Sequence, residues 1–168
     1  AAGALARRCK AVEALVVGKG YVDAAALDVL LDTYETKIGP RNGARVVAKA
    51  WTDDSFAEWL QRDATAAIGS VGYQGRQGEH MIFIENKPEI HNLIVCTLCS
   101  CYPWPVLGLP PTWYMSAAYR SRAVIDPRGV IGVFGLRLPD DREVRVWDPP
   151  AECGWSGLPV RPPGTQDM

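Results

Sequence analysis

Residues 93–105 have the sequence LIVCTLCSCYPWP, in which a short apolar run leads directly into three cysteines and then two prolines. Three consecutive apolar residues, two of them β-branched, predict a buried strand over residues 93–95. Cys96, Cys99 and Cys101 follow at once, so a tight loop after the strand can bring three sulfur atoms to one point. The stretch therefore predicts a strand followed by a loop that carries chemistry.

The chain has five cysteines, and the two outside the cluster, Cys9 and Cys153, lie far apart. A disulfide framework would spread its cysteines along the chain to close long loops, and this set is not spread. Clustered cysteines in a cytosolic chain more often bind metal or carry out redox chemistry. We therefore expect a metal site in a cytoplasmic protein.

A structural zinc site needs a fourth ligand, usually from a second cysteine or histidine pair far along the chain. The remaining candidates do not stand at a zinc-like spacing from the cluster: they are His80, His91, Cys9 and Cys153. A non-catalytic zinc-binding interaction module is therefore the weaker alternative.

A single residue separates Cys99 from Cys101, and this spacing favours a different metal. Two sulfur atoms that share a metal would bring the backbone nitrogens of Ser100 and Cys101 close to it, and Cys96 could occupy the axial position. Thiolates and deprotonated amides are soft, strong-field donors, so they favour a low-spin trivalent transition-metal ion over magnesium or calcium. One coordination position would stay open.

The first 69 residues carry apolar positions at helical spacing and predict a helical arm. One apolar face ends at the Gly-Lys-Gly sequence of residues 18–20. Asp23 is suited to cap a second helix, which Gly39-Pro40 would stop, and Thr52 is suited to cap a third. The side chains that share one face of the first helix are Leu5, Cys9, Val12, Leu15 and Val16, and those expected to point inward on the second are Leu27, Leu30, Leu31 and Tyr34.

The pattern changes after Gly69. Apolar or alternating runs at residues 81–84, 93–95 and 143–147 predict strands, Asp126-Pro127 predicts the start of a short helix to about Phe134, and the Pro- and Gly-rich tail from Pro149 predicts a surface extension. The expected class is α+β, with the helical arm followed by a compact layered α/β body that carries the metal loop. The expected domain ranges are 1–69 and 70–168.

The charge balance bears on possible partners. The chain has 18 basic and 19 acidic residues and a formal net charge of −1. Nucleic acid and anionic membrane surfaces both select a basic face, so neither is expected as a partner. No apolar run approaches the length of a membrane span, and the N-terminus lacks the pattern of a signal peptide.

Residues 95–111, VCTLCSCYPWPVLGLPP, resemble the metal-binding signature of nitrile hydratase α subunits. Other segments also resemble the family, in the same order, so that the resemblance covers nearly the whole chain: KIGPRNGAR at 37–45, GRQGEHM at 75–81, YRSRAV at 119–124 and VRVWD at 144–148. Thr97 and Tyr102 are similar to the residues of the cobalt type rather than the iron type.

The resemblance implies an enzyme subunit that hydrates a nitrile to an amide at one trivalent cobalt ion per chain, with iron as the less favoured metal. It implies metal ligation by Cys96, Cys99, Ser100 and Cys101, with the sulfur atoms as three ligands and the backbone nitrogens of Ser100 and Cys101 as two. Cys99 would be oxidised to sulfinic acid and Cys101 to sulfenic acid. Either water or the Cys101 sulfenate oxygen would attack the nitrile carbon.

The resemblance also implies roles around the metal. Gln77 would act beside Cys101 as a catalytic residue, and Trp104 and Tyr114 would line the substrate pocket. The implied partners are a β subunit, whether of the usual form or a split or unusual one, in an α2β2-type assembly, and a metal-loading accessory protein. The metal subunit of thiocyanate hydrolase resembles the same signature and is the alternative within the family.

Overall fold

The computed structural model describes residues 2–75, 80–96 and 101–165, with only the backbone described at Ala2 and Glu35. The chain divides into two compact units, residues 1–37 and residues 38–168. The elements in chain order are α1 (Ala2–Gly18), α2 (Ala24–Thr36), α3 (Pro40–Thr52), α4 (Asp54–Arg62), α5 (Ala64–Ser70), β1 (Met81–Glu85), β2 (Ile90–Ile94), α6 (Trp104–Leu107), α7 (Ala117–Ile125), α8 (Pro127–Val133), β3 (Glu143–Trp147) and β4 (Gly154–Leu158). The expected α+β class is confirmed.

The first unit consists of α1 and α2. Helix α1 ends at Gly18, as predicted, and the carboxylate of Asp23 caps α2 by accepting a hydrogen bond from Ala25 N at 2.7 Å. Helix α2 ends at Thr36, before the Gly39-Pro40 stop that the sequence suggested. The prediction of an inward face on α2 is wrong for Leu30 and Leu31, which are exposed, and the shared apolar face of α1 is exposed as well, at Leu5, Val12 and Leu15.

In the second unit, three helices follow one another with very short connections. Pro40 opens α3, where a proline is tolerated because the first helical N–H has no partner within the helix. Thr52 is the last residue of α3, so the prediction that it caps the next helix was wrong. Asp53 caps α4 by accepting from Phe56 N at 3.0 Å, and Asp63 caps α5 in the same way.

The four strands form two parallel pairs. Strand β1 pairs with β4, with Met81 opposite Gly154, and β2 pairs with β3, with Ile94 opposite Trp147. Strands β1, β2 and β3 confirm the three predicted runs to within a few residues. Strand β4 was missed, because its sequence GWSGL lies in the tail that was predicted to be a surface extension.

The main apolar core of the second unit lies among α3, α4, α5, α6 and the β1–β4 pair. Val46, Leu60 and Ile68 are fully buried there, at 0% exposure. Val106 of α6 belongs to the same cluster, so the segment directly after the cysteine loop packs into the core of this unit. The structure places α3–α5 in one compact unit with the strands, whereas the prediction grouped them with the arm; the expected boundary near residue 69 stays a prediction.

Candidate metal centre

The chain enters the cysteine loop from β2. Val95, just beyond the strand, is fully buried and continues the β2–β3 ladder by donating its N–H to Trp147 O at 2.9 Å. Cys96 follows at 1% exposure. A buried backbone needs its hydrogen bonds satisfied, and the parallel partner strand supplies this one. The first predicted ligand is therefore held at the end of a paired strand.

The chain leaves the loop between β4 and α6. Cys101 is 1% exposed, and its carbonyl oxygen accepts a hydrogen bond from Trp155 N of β4 at 3.0 Å. Pro103 is also buried and precedes α6, which begins at Trp104. The strand that the sequence failed to predict thus holds the second end of the loop.

The two ends bring their sulfur atoms together. The structure joins Cys96 and Cys101 as a disulfide, with their Cα atoms 6.1 Å apart. The cysteine spacing argued against a framework of disulfides that close long loops. The observed pair does not close a long loop, because the two cysteines are only five residues apart in sequence. Cys9 is exposed and Cys153 is half-buried, and both are free thiols.

This donor set fits a soft metal ion. Two buried sulfur atoms that meet at one point can form a disulfide, or they can bind one metal ion as separate thiolates, and softness favours transition metals for such ligands. Cys99 and Ser100, the other predicted ligands, lie outside the described residues, as does Gln77. Within the described ranges, no group of three or more His, Cys, Asp or Glu side chains is placed to hold a metal ion.

An aromatic group covers the sulfur pair. Tyr114, at 8% exposure, belongs to one buried cluster with Cys96 and Cys101, and Tyr102 and Tyr119 pack against that cluster. The ring of Tyr114 lies 5.1 Å from that of Tyr102 and 5.7 Å from that of Tyr119, centroid to centroid.

Burial raises the pKa of the Tyr102 phenol and of the Tyr119 phenol above their ordinary value. The low-dielectric surroundings disfavour the phenolate, so both groups remain neutral over the physiological range. The predicted pocket residue Tyr114 thus lies against the sulfur pair, together with Tyr102, which resembles the cobalt type, and Tyr119, to which the sequence assigned no individual role.

The segment after the loop rests on α3. Trp104, the other predicted pocket residue, is half-buried at the start of α6. Next to it, the Pro105 carbonyl oxygen accepts a hydrogen bond from Asn42 Nδ2 at 2.9 Å. Sequence reasoning gave Asn42 no role, although residues 37–45 were among the segments that resembled the family.

The sequence profile of the family described as nitrile hydratase, alpha chain, matches residues 3–168. The chain belongs to this family. The resemblance inferred from the cysteine signature is therefore confirmed.

Relatives of this nitrile hydratase family include both cobalt enzymes and thiocyanate hydrolase. The chain is 51% identical to the low-molecular weight cobalt-containing nitrile hydratase subunit alpha of Rhodococcus rhodochrous, over 98% of this chain and 79% of that protein. It is 37% identical to thiocyanate hydrolase subunit gamma of Thiobacillus thioparus, over 92% of this chain and 68% of that protein.

The fold matches a solved structure of the family as well. A double mutant of the Fe-type nitrile hydratase from Comamonas testosteroni Ni1 superposes with a TM-score of 0.88 at 37% identity, covering 98% of this chain and 81% of that one. No helix in the part of the chain that the structure describes is long and apolar enough to cross a membrane.

Proposed function

We propose that the chain is the metal-carrying α subunit of a cobalt nitrile hydratase, which adds water to a nitrile and releases the amide. The observation that carries the proposal is the meeting of two buried sulfur atoms from the two ends of a six-residue loop, in a chain of this family. The cobalt-containing relative at 51% identity supports cobalt rather than iron.

The proposed ligands are the sulfur atoms of Cys96, Cys99 and Cys101 and the backbone nitrogens of Ser100 and Cys101. Cys96 and Cys101 would hold the ion as separate thiolate-derived ligands in the reduced protein, because a disulfide is neutral and offers no thiolate charge to a trivalent ion. When bound, trivalent cobalt supplies Lewis-acid chemistry to the nitrile and to the attacking oxygen.

The residues of the chain prepare the site for this chemistry. The Trp155 N–H and the β2–β3 ladder fix the two ends of the loop, and the tyrosine cluster keeps bulk water away from the sulfur atoms. We assign Gln77 to orienting polar groups beside Cys101, because an amide can both donate and accept. We assign Trp104 and Tyr114 to the wall of the substrate pocket.

Two of the cysteines are proposed to carry oxygen. Thiolates oxidise along the sulfenic and sulfinic acid series when an oxidant such as dioxygen supplies the oxygen atoms, and we assign the sulfinic acid to Cys99 and the sulfenic acid to Cys101. Either water or the sulfenate oxygen of Cys101 then reaches the nitrile carbon. Oxygenated sulfur is anionic at neutral pH, so in a buried site it requires charge-assisted hydrogen bonds.

Membership of the α-chain family implies a β-subunit partner. We propose that arginines of that subunit donate to the oxidised sulfurs, in an α2β2-type assembly, and that an accessory protein delivers the cobalt. The β partner could be divided over two chains without changing this requirement. The proposal is that the α chain provides the ligands and the β subunit provides the compensating charge.

Thiocyanate hydrolysis is the second candidate, because a thiocyanate hydrolase subunit aligns over 92% of this chain. Its identity of 37% is lower than the 51% of the cobalt nitrile hydratase α subunit, and nitrile hydration is therefore preferred. The two activities differ in their products, since thiocyanate yields carbonyl sulfide and ammonia.

The test is to co-express the chain with its β subunit in medium containing cobalt and to measure products. We expect amide from acetonitrile or benzonitrile, about one cobalt per chain, and no carbonyl sulfide from thiocyanate. Peptide mass spectrometry of residues 96–101 should show two added oxygens on Cys99 and one on Cys101. A zinc-loaded complex with unmodified cysteines and no amide product would contradict the proposal.

A further inference from the structure

Three hydrogen bonds hold the chain on either side of the cysteine loop. Before the loop, Val95 N donates to Trp147 O; after it, Trp155 N donates to Cys101 O, and Asn42 Nδ2 donates to Pro105 O at 2.9 Å. The first two are bonds between backbone atoms. The third comes from a side chain, so its contribution can be removed by substitution without changing the loop itself.

The start of α3 lies in direct backbone contact with α6. A Cβ atom on Gly43 would stand 2.7 Å from the Val106 carbonyl oxygen, closer than real Cβ contacts come. A Cβ atom on Gly108 would stand 3.1 Å from Gly39 Cα, and Gly108 has a φ of +76°, which favours glycine. The two segments therefore fit together only because glycines occupy both sides of the contact.

Helix α6 is too short to satisfy the carbonyls of its last residues. It has four residues, and the last carbonyls of a helix have no N–H partner within that helix. Pro105 is buried, and a buried carbonyl without a hydrogen bond is costly, so a donor from elsewhere is required. Asn42, 7% exposed and 63 residues away in sequence, provides that donor.

We propose that Asn42 is a positioning residue for the nitrile pocket: its hydrogen bond to Pro105, together with the Gly43–Val106 contact, fixes α6 and thereby the orientation of Trp104. The inference rests on the proposed function in one respect, the place of Trp104 in the pocket wall. Asn42 acts through α6 and has no contact role in the chemistry. It controls how well a nitrile fits.

The central variants are Asn42→Ala, which removes the donor, and Asn42→Asp, which keeps the shape and, when ionised, places an acceptor against the Pro105 carbonyl. Both are measured in the cobalt-loaded complex with the β subunit. We expect KM for benzonitrile to rise about fivefold to tenfold, as loss of one net hydrogen bond implies, with kcat changed less than about twofold. KM for acetonitrile should change less, because a smaller nitrile depends less on the position of the Trp104 ring.

Gly43→Ala tests the same contact from a second side. The added methyl group pushes against the Val106 carbonyl while the Asn42 amide remains, so we expect the same shift in KM for benzonitrile. The matched control is Asp63→Ala, which removes the cap of α5 and lowers thermal stability while leaving α6 in place. The control should keep both KM values.

Hydrogen–deuterium exchange gives a readout that does not depend on activity. The amides of Leu107 and Gly108, which bond to Pro103 and Trp104 carbonyls within α6, should exchange faster in Asn42→Ala and at the wild-type rate in Asp63→Ala. Unchanged exchange and unchanged KM for benzonitrile in both Asn42 variants would overturn the inference. A wild-type complex that hydrates neither nitrile would instead refute the proposed function, while the exchange result would still decide whether Asn42 holds α6.

Discussion

The helices of the two units differ both in how their apolar residues are arranged and in how deeply they are buried: α3 and α4 confine theirs to one face, whereas α1 and α2 do so much less. In the first unit, Leu5 of α1 is 64% exposed and Leu30 of α2 is 54% exposed. In the second unit, Val46 of α3 and Leu60 of α4 are 0% exposed. Apolar spacing therefore identified helices in both units, but the helices that form a core are those whose apolar residues are confined to one face.

The buried helices of the second unit stabilise the chain itself, whereas the exposed helices of the first unit are available to bind a partner. Apolar side chains that the chain buries stabilise its own fold, whereas a contiguous exposed apolar face indicates an interaction site. The exposed apolar side chains of α1 and α2 include Leu5, Val12, Leu15, Leu30 and Leu31, and we call this surface the hairpin face. We propose that the β subunit covers it. The second unit contains the cysteine loop and the residues that support it.

The largest predicted effect compares the paired cysteines of the second unit with the two free cysteines of the chain. Cys96→Ser or Cys101→Ser replaces a buried soft thiolate by a hard hydroxyl, so activity should fall by more than the roughly 100-fold that loss of an outer-shell partner can cause. The visible sulfur-to-metal absorption should disappear as well. Amide production and the absorption spectrum of the purified complex measure both changes.

Cys9→Ser in the first unit and Cys153→Ser in the second are the matched controls, because both residues are free thiols outside the sulfur pair. Each should retain activity and absorption within about twofold. An equal loss with Cys153→Ser would mean that the metal ligands are wrongly assigned.

The next prediction compares leucines of the two units. Leu60→Ala should destabilise the isolated chain by about 2–5 kcal/mol, because it leaves a cavity in the main core. Leu30→Ala should change stability by less than about 0.5 kcal/mol, since its side chain is already largely in water. Urea denaturation of the two variants measures the difference, and comparable losses would show that the first unit has a core of its own.

A smaller effect is expected on the affinity of the chain for the β subunit. Substituting Leu30 and Leu31 together by Gln should weaken binding of the β subunit by about tenfold, because apolar contact area on the hairpin face is replaced by polar groups. Titration of the labelled chain with the β subunit gives the Kd. Glu58→Gln, on the exposed surface of α4, is a control that should keep the wild-type affinity, and an unchanged Kd in the leucine variant would remove the hairpin face from the interface.

The smallest predicted effect depends on pH and belongs to the second unit. Burial, with a further contribution from the charge of Arg142, lowers the pKa of His91 below its ordinary value of 6.5. As the pH falls, His91 therefore binds a proton in the unfolded chain before it does so in the folded chain. His91 does not change the free energy of unfolding above about pH 6.5 and lowers it below that pH. Both histidines of the chain lie in the second unit, so the first unit should not contribute.

Urea midpoints at about pH 7.5 and pH 5.5 test this difference. The wild-type chain should lose more stability between the two values than His91→Gln, which lacks the imidazole at this position. An identical pH dependence in the two proteins would show that the partly buried imidazole is not responsible.

Local sequence predicted much of the fold. Asp23 capped its helix as expected, and the apolar run at residues 81–84 formed β1. The failures came from ambiguous boundaries and from long-range pairing: Pro40 was taken as a stop although it opens α3, and Thr52 was taken as a cap although Asp53 fills that position. Strand β4 has two glycines and no β-branched residue, so its extended form depends on pairing with β1 rather than on propensity.

The candidate site also has a part that local sequence predicts and a part that depends on long-range contacts. Cys96, Cys99 and Cys101 could be proposed as ligands from sequence because their spacing is local, and the structure brings Cys96 and Cys101 together. The hydrogen bond from Asn42 to Pro105 spans 63 residues, and the bond from Trp155 to Cys101 requires a strand that the sequence did not indicate. Such support is fixed by tertiary packing, which spacing does not report.

The central claim is that the cysteine loop holds trivalent cobalt through its sulfur atoms. Cobalt K-edge X-ray absorption of the purified complex with the β subunit tests it most directly. We predict an edge typical of low-spin trivalent cobalt and a first shell that contains both sulfur and lighter nitrogen or oxygen atoms. A cobalt shell without sulfur, or a complex that contains zinc in place of cobalt while Cys96 and Cys101 remain a disulfide, would contradict it.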